Sequence, residues 1–256
     1  MILHAVEAGS GAPLVLLHGL FGRARNFGTI QKRLAARFRV LALDLRNHGD
    51  SPRAPLMTYE AMAEDVLETL RAAGALPASV LGHSMGGKVA MMAALEAPAA
   101  VSHLLVADIA PVRYRPHFAA HVAAMQAIAL GPALTRAAAD GALAAAEPDA
   151  GVRGFLLQNL HLGPTPEWRI GLREIGAALP AIEGWEDPAA NACYRGPTTF
   201  IVGGRSLYVR PEHRPDIKRL FPTARFVTLR RAGHWLHADD PDGFVAVIEA
   251  AVTQSA

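Results

Sequence analysis

A chain of 256 residues is long enough for one α/β domain with an insertion, or at most two small domains, with ample apolar material for a core. Hydrophobic residues make up 51% and charged residues 19%, a balance that excludes a disordered chain. The formal charge of +2, with no basic run interleaved with aromatics, excludes a charge-driven nucleic-acid binder, and one cysteine, Cys193, excludes an internal disulfide.

The N-terminal "MILHAVEAGSGAPLVLLHG" carries no basic leader, and its apolar runs are too short for a signal peptide or a membrane span. A cytoplasmic protein with no membrane span is the expectation. Seven short apolar runs predict strands: "ILHAVEA", "PLVLLHG", "RVLALDL", "SVLGHS", "HLLVADIA", "TTFIVGG" and "RFVTLR". Several are apolar at nearly every position, as strands covered by helices on both faces should be. Helices fit between them over Asn26 to Arg37, Thr58 to Ala73 with Thr58 as N-cap, Met85 to Glu96 with Pro98 beyond, and from Pro241 onward. The alternation predicts an α/β fold with a mostly parallel, doubly wound sheet.

One connection breaks the rhythm. Far more residues separate the strand ending near Asp108 from the one starting near Pro197 than a single crossover helix needs. The patterns "HFAAHVAAMQAIAL", "ALTRAAADGALAAA" and "GFLLQNL" are helical, with Gly131-Pro132 and Gly163-Pro164 as breaks. This predicts a core made of residues 1–111 and 191–256, with a helical cap over 112–190.

Between the fourth strand and its helix stands "GHSMG", Gly82 to Gly86, a G-x-S-x-G pattern at the one place where it has mechanical meaning. Strand and helix approach so closely there that only small residues fit on either side, while Ser84 takes a strained backbone that lifts its Oγ clear of the sheet. A phosphate-binding loop is the alternative, but neither G-x-x-x-x-G-K-[ST] nor G-x-G-x-x-G spacing is present. A serine needs a base and a group to orient that base. Of eleven histidines, His234 in "RAGHWLHADDP" lies after the last strand, at the sheet's carboxyl edge. His237 is its nearest competitor, expected to support the loop or bond locally. His4, His103, His117, His121, His161 and His213 are expected on the surface or in the cap.

The acid has two candidate places. After "TTFIVGG", Ser206 stands where an aspartate often does, and a serine cannot stabilise an imidazolium by charge. Asp108 in "LLVADIAP" ends a strand and is preferred over Glu212 or Asp216. Acyl transfer also needs donors for the developing oxyanion: the Met85 N–H, and an N–H from Leu20 or its neighbour Phe21 in "LLHGLFG". His18 there is read as a turn-bonding residue. The roof of the pocket would come from cap residues that include Phe118, Met125, Phe155 and Leu156.

The phrases "LLHGLFGRARNF", "VLALDLRNHGDSP", "LGHSMGGKVAM", "VADIAPVRY", "FIVGGRSLYV" and "GHWLHADDP" resemble the α/β-hydrolase superfamily, and within it the YbfF-type and abhydrolase domain-containing 11-like esterases. The resemblance runs over nearly the whole chain, including "FLLQNL" and "WRIGLREIGAALPAIEGW" in the cap. It implies the α/β-hydrolase fold, hydrolysis of carboxylic esters without a cofactor, and Ser84, Asp108 and His234 as nucleophile, acid and base. Ser206 matches a serine near the family's active site, where it would hydrogen-bond the acid or the histidine. Where relatives often have a polar residue after that serine, this chain has Leu207, which predicts a differently shaped pocket beside the acid.

The reading is a serine carboxylesterase for short- to medium-chain esters, with a small-molecule ester as its partner, no metal, and a monomer or weak homodimer as its state. An acyl-CoA thioesterase is the alternative enzyme, motivated by Arg113, Arg115, Arg153, Arg169 and Arg173 as phosphate holders. A ligand-binding protein on a hydrolase scaffold is a third reading, and a missing triad member would mark it. The pair His117-x-x-x-His121 lacks a third ligand and is read as structural.

Overall fold

The computed structural model describes residues 1–253, so the last three residues of the core segment assigned from the sequence lie outside the described residues. Nine strands form among the described residues: β1 (Ala5–Ala8), β2 (Pro13–Leu17), β3 (Arg39–Leu43), β4 (Ala78–His83), β5 (Val101–Ala107), β6 (Leu160–His161), β7 (Glu167–Trp168), β8 (Thr198–Gly203) and β9 (Arg225–Leu229). Seven of them make one sheet in the order β1-β3-β2-β4-β5-β8-β9, parallel except for the β1 edge. The helices are α1 (Gly28–Leu34), α2 (Tyr59–Ala72), α3 (Met85–Glu96), α4 (Ala119–Ala127), α5 (Arg136–Leu143), α6 (Ala150–Leu157), α7 (Leu172–Ile182), α8 (Arg214–Leu220), α9 (Leu236–Asp239) and α10 (Pro241–Thr253).

The apolar character of the strands follows from two cores, one on each sheet face. Residues of α2, α3 and α8 pack on one side; α1, α9 and α10 pack on the other. β4, at the centre, is buried at every position. In α3 every residue but Glu96 is buried, so the helix shows no polar face at all. Burying each such large apolar side chain contributes roughly 1.5–3 kcal/mol.

Register positions the site. Leu17 pairs with Gly82, His83 with Ala107, Ala107 with Ile201, and Gly203 with Leu229. The loops after β2, β4, β5, β8 and β9 therefore leave the sheet along one edge, where ligands of open α/β sheets bind. Between β5 and β8 the chain runs through α4, α5, α6, the β6–β7 hairpin and α7, with α4 against α7 and Met125 of α4 and Ile175 of α7 fully buried.

Local differences from the sequence pattern have physical causes. The first strand is shorter than "ILHAVEA", because the N–H groups of Leu3 and His4 donate to the hydroxyls of Thr69 (2.9 Å) and Ser51 (2.8 Å). The helix expected from Asn26 opens as a tighter 3₁₀ turn over Ala24–Phe27, and α1 ends at Leu34. The hairpin of β6 and β7 falls in "LHLGPTPEW", where helical periodicity stops and nothing signals a strand. His103, expected on the surface or in the cap, is buried within β5 and bonds Thr199 Oγ1 at 3.0 Å. Thr58 caps α2, its hydroxyl accepting from Ala61 N. Among the described residues no helix is long and apolar enough to cross a membrane.

Candidate active site

Ser84 lies between β4 and α3 at φ 53 and ψ −121, outside the ordinary helical and extended regions. Holding a non-glycine residue there costs about 1–3 kcal/mol, which the surroundings must over-determine. They do so by close approach: a Cβ on Gly82 would lie 2.0 Å from Gly86 O, and one on Gly86 would lie 2.4 Å from Leu17 O. Hydrogen bonds from Ser84 N to Ala107 O (3.0 Å) and from Gly87 N to Ser84 O (2.8 Å) lock the turn.

Asp108 follows β5, also at positive φ (53), and is wholly buried. A buried carboxylate is stable only when its oxygens are met by donors. Gly203 N donates to Oδ1 at 3.0 Å, His234 Nδ1 donates to Oδ2 at 2.8 Å, and the Ser206 hydroxyl donates to the same Oδ2. With its Nδ1–H donated to the carboxylate, His234 presents Nε2 as the basic nitrogen. The imidazole is held from two further sides. Tyr208 stacks on it at 4.0 Å, and His83 Nε2 donates to the His234 carbonyl at 2.7 Å. Burial keeps His83 well below the ordinary histidine range, so this donor stays neutral.

Ser84 and His234 open onto one cavity of about 260 Å³. No hydrogen bond joins their side chains among the described residues. Phe21 and Trp235 from the sheet-edge loops, and Phe118, Phe155 and Leu156 from the segment between β5 and β8, line the cavity. Met125, expected in the roof, is fully buried and does not line this cavity.

Of the two oxyanion alternatives, Phe21 is already occupied: its N–H donates to His48 Nε2 at 3.1 Å, and its carbonyl accepts from Asn159 Nδ2 at 2.8 Å. The N–H groups of Leu20 and Met85 hold no hydrogen bond among the described residues. Met85 is also the first residue of α3, so its N–H carries the positive end of that helix. His48 accepts because burial drives its titration down to about 3, leaving it neutral. His18 bonds within its own turn, to Gly19 O (2.8 Å), and also accepts from Leu45 N (3.0 Å) across 27 residues, a partner the turn-bonding reading did not include.

The competing residues go elsewhere. Glu212 and Asp216 form exposed pairs with Arg210 and Arg219. The His237 side chain makes no hydrogen bond among the described residues, its Nδ1 being buried without a partner there; it packs against Phe27 and His83 at about 5 Å between ring centres. His117 and His121 turn to different partners, Tyr208 Oη at 3.2 Å and Glu147 Oε2 at 2.9 Å. Of the five arginines singled out, Arg153 pairs with Asp140, Arg169 with Asp50 and Glu167, and Arg173 with Glu174. Arg113 and Arg115 instead line a separate cavity of about 300 Å³ with Arg210, His213 and the exposed Leu207, adjoining the first at Tyr208 and His117. Leu207 thus shapes this neighbouring cavity and not the one at Ser84.

Sequence reasoning left out His48, Asn159 and Tyr208 as site residues. "LDLRNHGDS" and "QNL" carried a signal only as family phrases, since the partners of His48 and Asn159 lie far away in sequence.

A mostly parallel sheet of this order, with a serine at a strained strand-to-helix turn and an acid and a histidine on later loops, defines the α/β-hydrolase class. The chain belongs to the alpha/beta hydrolase family, which residues 14–247 match. It is 42% identical over 244 residues to the mouse protein named sn-1-specific diacylglycerol lipase ABHD11, covering 92% of this chain and 79% of the relative. It is 38% identical over 242 residues to Esterase YbfF of Escherichia coli K12, covering 93% and 92%. Among solved structures, a marine microorganism esterase superposes with a TM-score of 0.93 at 34% identity, covering 98% of this chain and 99% of that one.

Proposed function

We propose that the protein is a serine carboxylesterase that hydrolyses short- to medium-chain carboxylic esters through Ser84, His234 and Asp108. It is a carboxylic ester hydrolase like the relatives named above. The finer reading rests on one observation: His234 Nδ1 bonds the buried Asp108 while the ring shares a cavity with a serine held at positive φ.

In the acylation step His234 Nε2 takes the Ser84 proton as Oγ attacks the ester carbonyl. The Leu20 and Met85 N–H groups then receive the oxyanion, each contributing about 3 kcal/mol of transition-state stabilisation. The tetrahedral adduct expels the alcohol, which leaves with the proton from His234, and an acyl-enzyme remains. Water attacks that ester with His234 again as base, and the acid is released as Ser84 regains its proton. Asp108 orients the ring and stabilises the imidazolium. Residues 112–190 act as the cap that roofs the acyl group, on the core of 1–111 and 191–256.

A second reading, hydrolysis of acyl-CoA thioesters, is favoured by the arginine-lined cavity beside Tyr208. Both readings are tested together. Purified protein and Ser84→Ala are assayed on p-nitrophenyl esters from acetate to palmitate and on acyl-CoA. Ester turnover lost in the variant, with an optimum at short or medium chains, is the expected result. Turnover of acyl-CoA alone would replace the first reading with the second, and activity retained in Ser84→Ala would overturn both.

A further inference from the structure

Lys88 has no place in that mechanism, yet it is an ionisable side chain 1% exposed in a helix otherwise apolar along its buried length. A buried ammonium or amine persists only where its donors are matched. Here Nζ donates to Val112 O at 2.9 Å and to Gly184 O at 2.5 Å, and it lies 4.9 Å from the centre of the Tyr114 ring and 5.4 Å from that of Tyr59. Val112 stands where the chain leaves the core for the cap, and Gly184 where it returns. One side chain therefore touches both stems.

The surrounding polar contacts concern the same two stems. Tyr114 N donates to Glu183 O at 2.8 Å, the Tyr59 hydroxyl donates to Ile182 O, and the buried Glu183 carboxylate accepts from the N–H groups of His117 (2.7 Å) and Phe118 (3.1 Å) at the start of α4. A small cavity joins this cluster to Ser84, lined by Lys88, Tyr59, Tyr114, Phe118 and Met85. Lys88 sits one turn into the helix that begins directly after Ser84, so the nucleophile and the attachment of the roof ride on one rigid element.

We propose that Lys88 is a positioning residue that seats the cap over the acyl cavity by tying both cap stems to the nucleophile helix. The inference deepens the esterase reading and its activity arm rests on it. Its structural arm does not.

Proton linkage supplies a signature that simple packing lacks. Burial, with Arg113 nearby, lowers Lys88 to about 7, while Glu183 opposes the shift; Tyr59, Tyr114, His117 and Tyr208 are the other titratable groups facing the cluster. Opening the stems returns the amine to water, where its pKa is about 10.4. The open form then binds a proton the closed form does not, so opening becomes harder as pH rises above about 7 and is independent of this group below it.

The test is hydrogen exchange of the segment 112–118, corrected for intrinsic rate, from pH 6 to 9, in the wild type and in Lys88→Met, which keeps the apolar stem. Protection should rise several-fold per pH unit above pH 7 in the wild type, up to tenfold, and stay flat in the variant. Alongside, Lys88→Met should raise KM for an octanoate ester about tenfold, the worth of one or two buried hydrogen bonds, while kcat on acetate moves less than about threefold. A pH slope identical in both proteins, or an unchanged chain-length profile in the variant, would overturn the proposal. If Lys88→Met does not fold, His117→Gln decides: it retains Lys88 and should keep the wild-type slope, and a slope that vanishes there assigns the linkage to the histidine. Because exchange needs no turnover, a failed esterase reading leaves this arm intact.

Discussion

The loop cluster at the carboxyl edge of the sheet and the inner wall of the cap enclose the same cavity by opposite means. At the sheet edge, directed bonds fix each group: Asp108 is met by three donors, and His234 is held at its Nδ1, its carbonyl and one ring face. The aromatic residues of the proposed cap face the cavity through non-directional contacts, Phe118 edge-on to Phe21 and Phe155 beside Trp235, each at 5.8 Å between ring centres. The contrast teaches a division of labour. Chemistry depends on angles and belongs where hydrogen bonds set them; accommodation of an alkyl chain depends on shape and belongs where side chains can repack.

Substitutions at the sheet edge should therefore act on kcat, and those in the cap on the chain-length profile. Asp108→Asn should lower kcat on p-nitrophenyl butyrate by about 10⁴-fold with KM little changed, since the amide favours the wrong histidine tautomer. A loss below tenfold, with Asp216→Asn abolishing turnover instead, would move the acid elsewhere. Ser206→Ala should cost roughly ten- to thirtyfold in kcat, the worth of one hydrogen bond to a charged group; steady-state kinetics with no change in kcat would reduce Ser206 to a loop hydroxyl.

A third expectation concerns stability. Burial holds His237 at about 4 and His48 at about 3, both below the free imidazole. The unfolded chain takes up protons that the folded chain refuses, so stability is full above about pH 6.5 and falls as pH drops toward 4, by up to about 1.4 kcal/mol per unit per imidazole. Melting temperatures across that window should fall less steeply in His237→Phe, and equal slopes would show that the ring is solvated. Phe155→Ala should change KM for octanoate several-fold while leaving acetate turnover alone; equal effects on both esters would place Phe155 in the chemistry and blur the division. Smallest of all, Arg33→Ala removes an exposed pair with Asp242 and should shift stability by less than about 0.5 kcal/mol in a denaturant titration.

Legibility from sequence followed the same division. Ser84 and His234 could be picked out because their chemistry demands a particular residue at a particular place on a strand-and-turn pattern. Asp108 could be preferred because the rival position holds a serine, although the bond between that serine and the aspartate spans two strands and only the fold reveals it. His48, Asn159 and Tyr208 stayed hidden because each acts through a contact that no local period encodes. His48 binds Phe21 across 27 residues and Asn159 binds it across 138. The helical character of the cap was visible in its periodicity. Which of its apolar residues face the cavity was not, because Phe155 and Met125 have the same character and differ only in which way the packed helices turn them.

In the mechanism proposed above, the hydrogen bond from Asn159 to the Phe21 carbonyl would make the cap part of the catalytic frame as well as its roof. The residue beside the Leu20 donor is gripped by core on one side, at His48, and by cap on the other. A chimera that received a foreign cap without an equivalent amide at this point would gain a new pocket and lose rigidity where the anion forms. Exchange of selectivity between relatives by transplanting caps therefore has to carry this one asparagine along, or accept a slower enzyme.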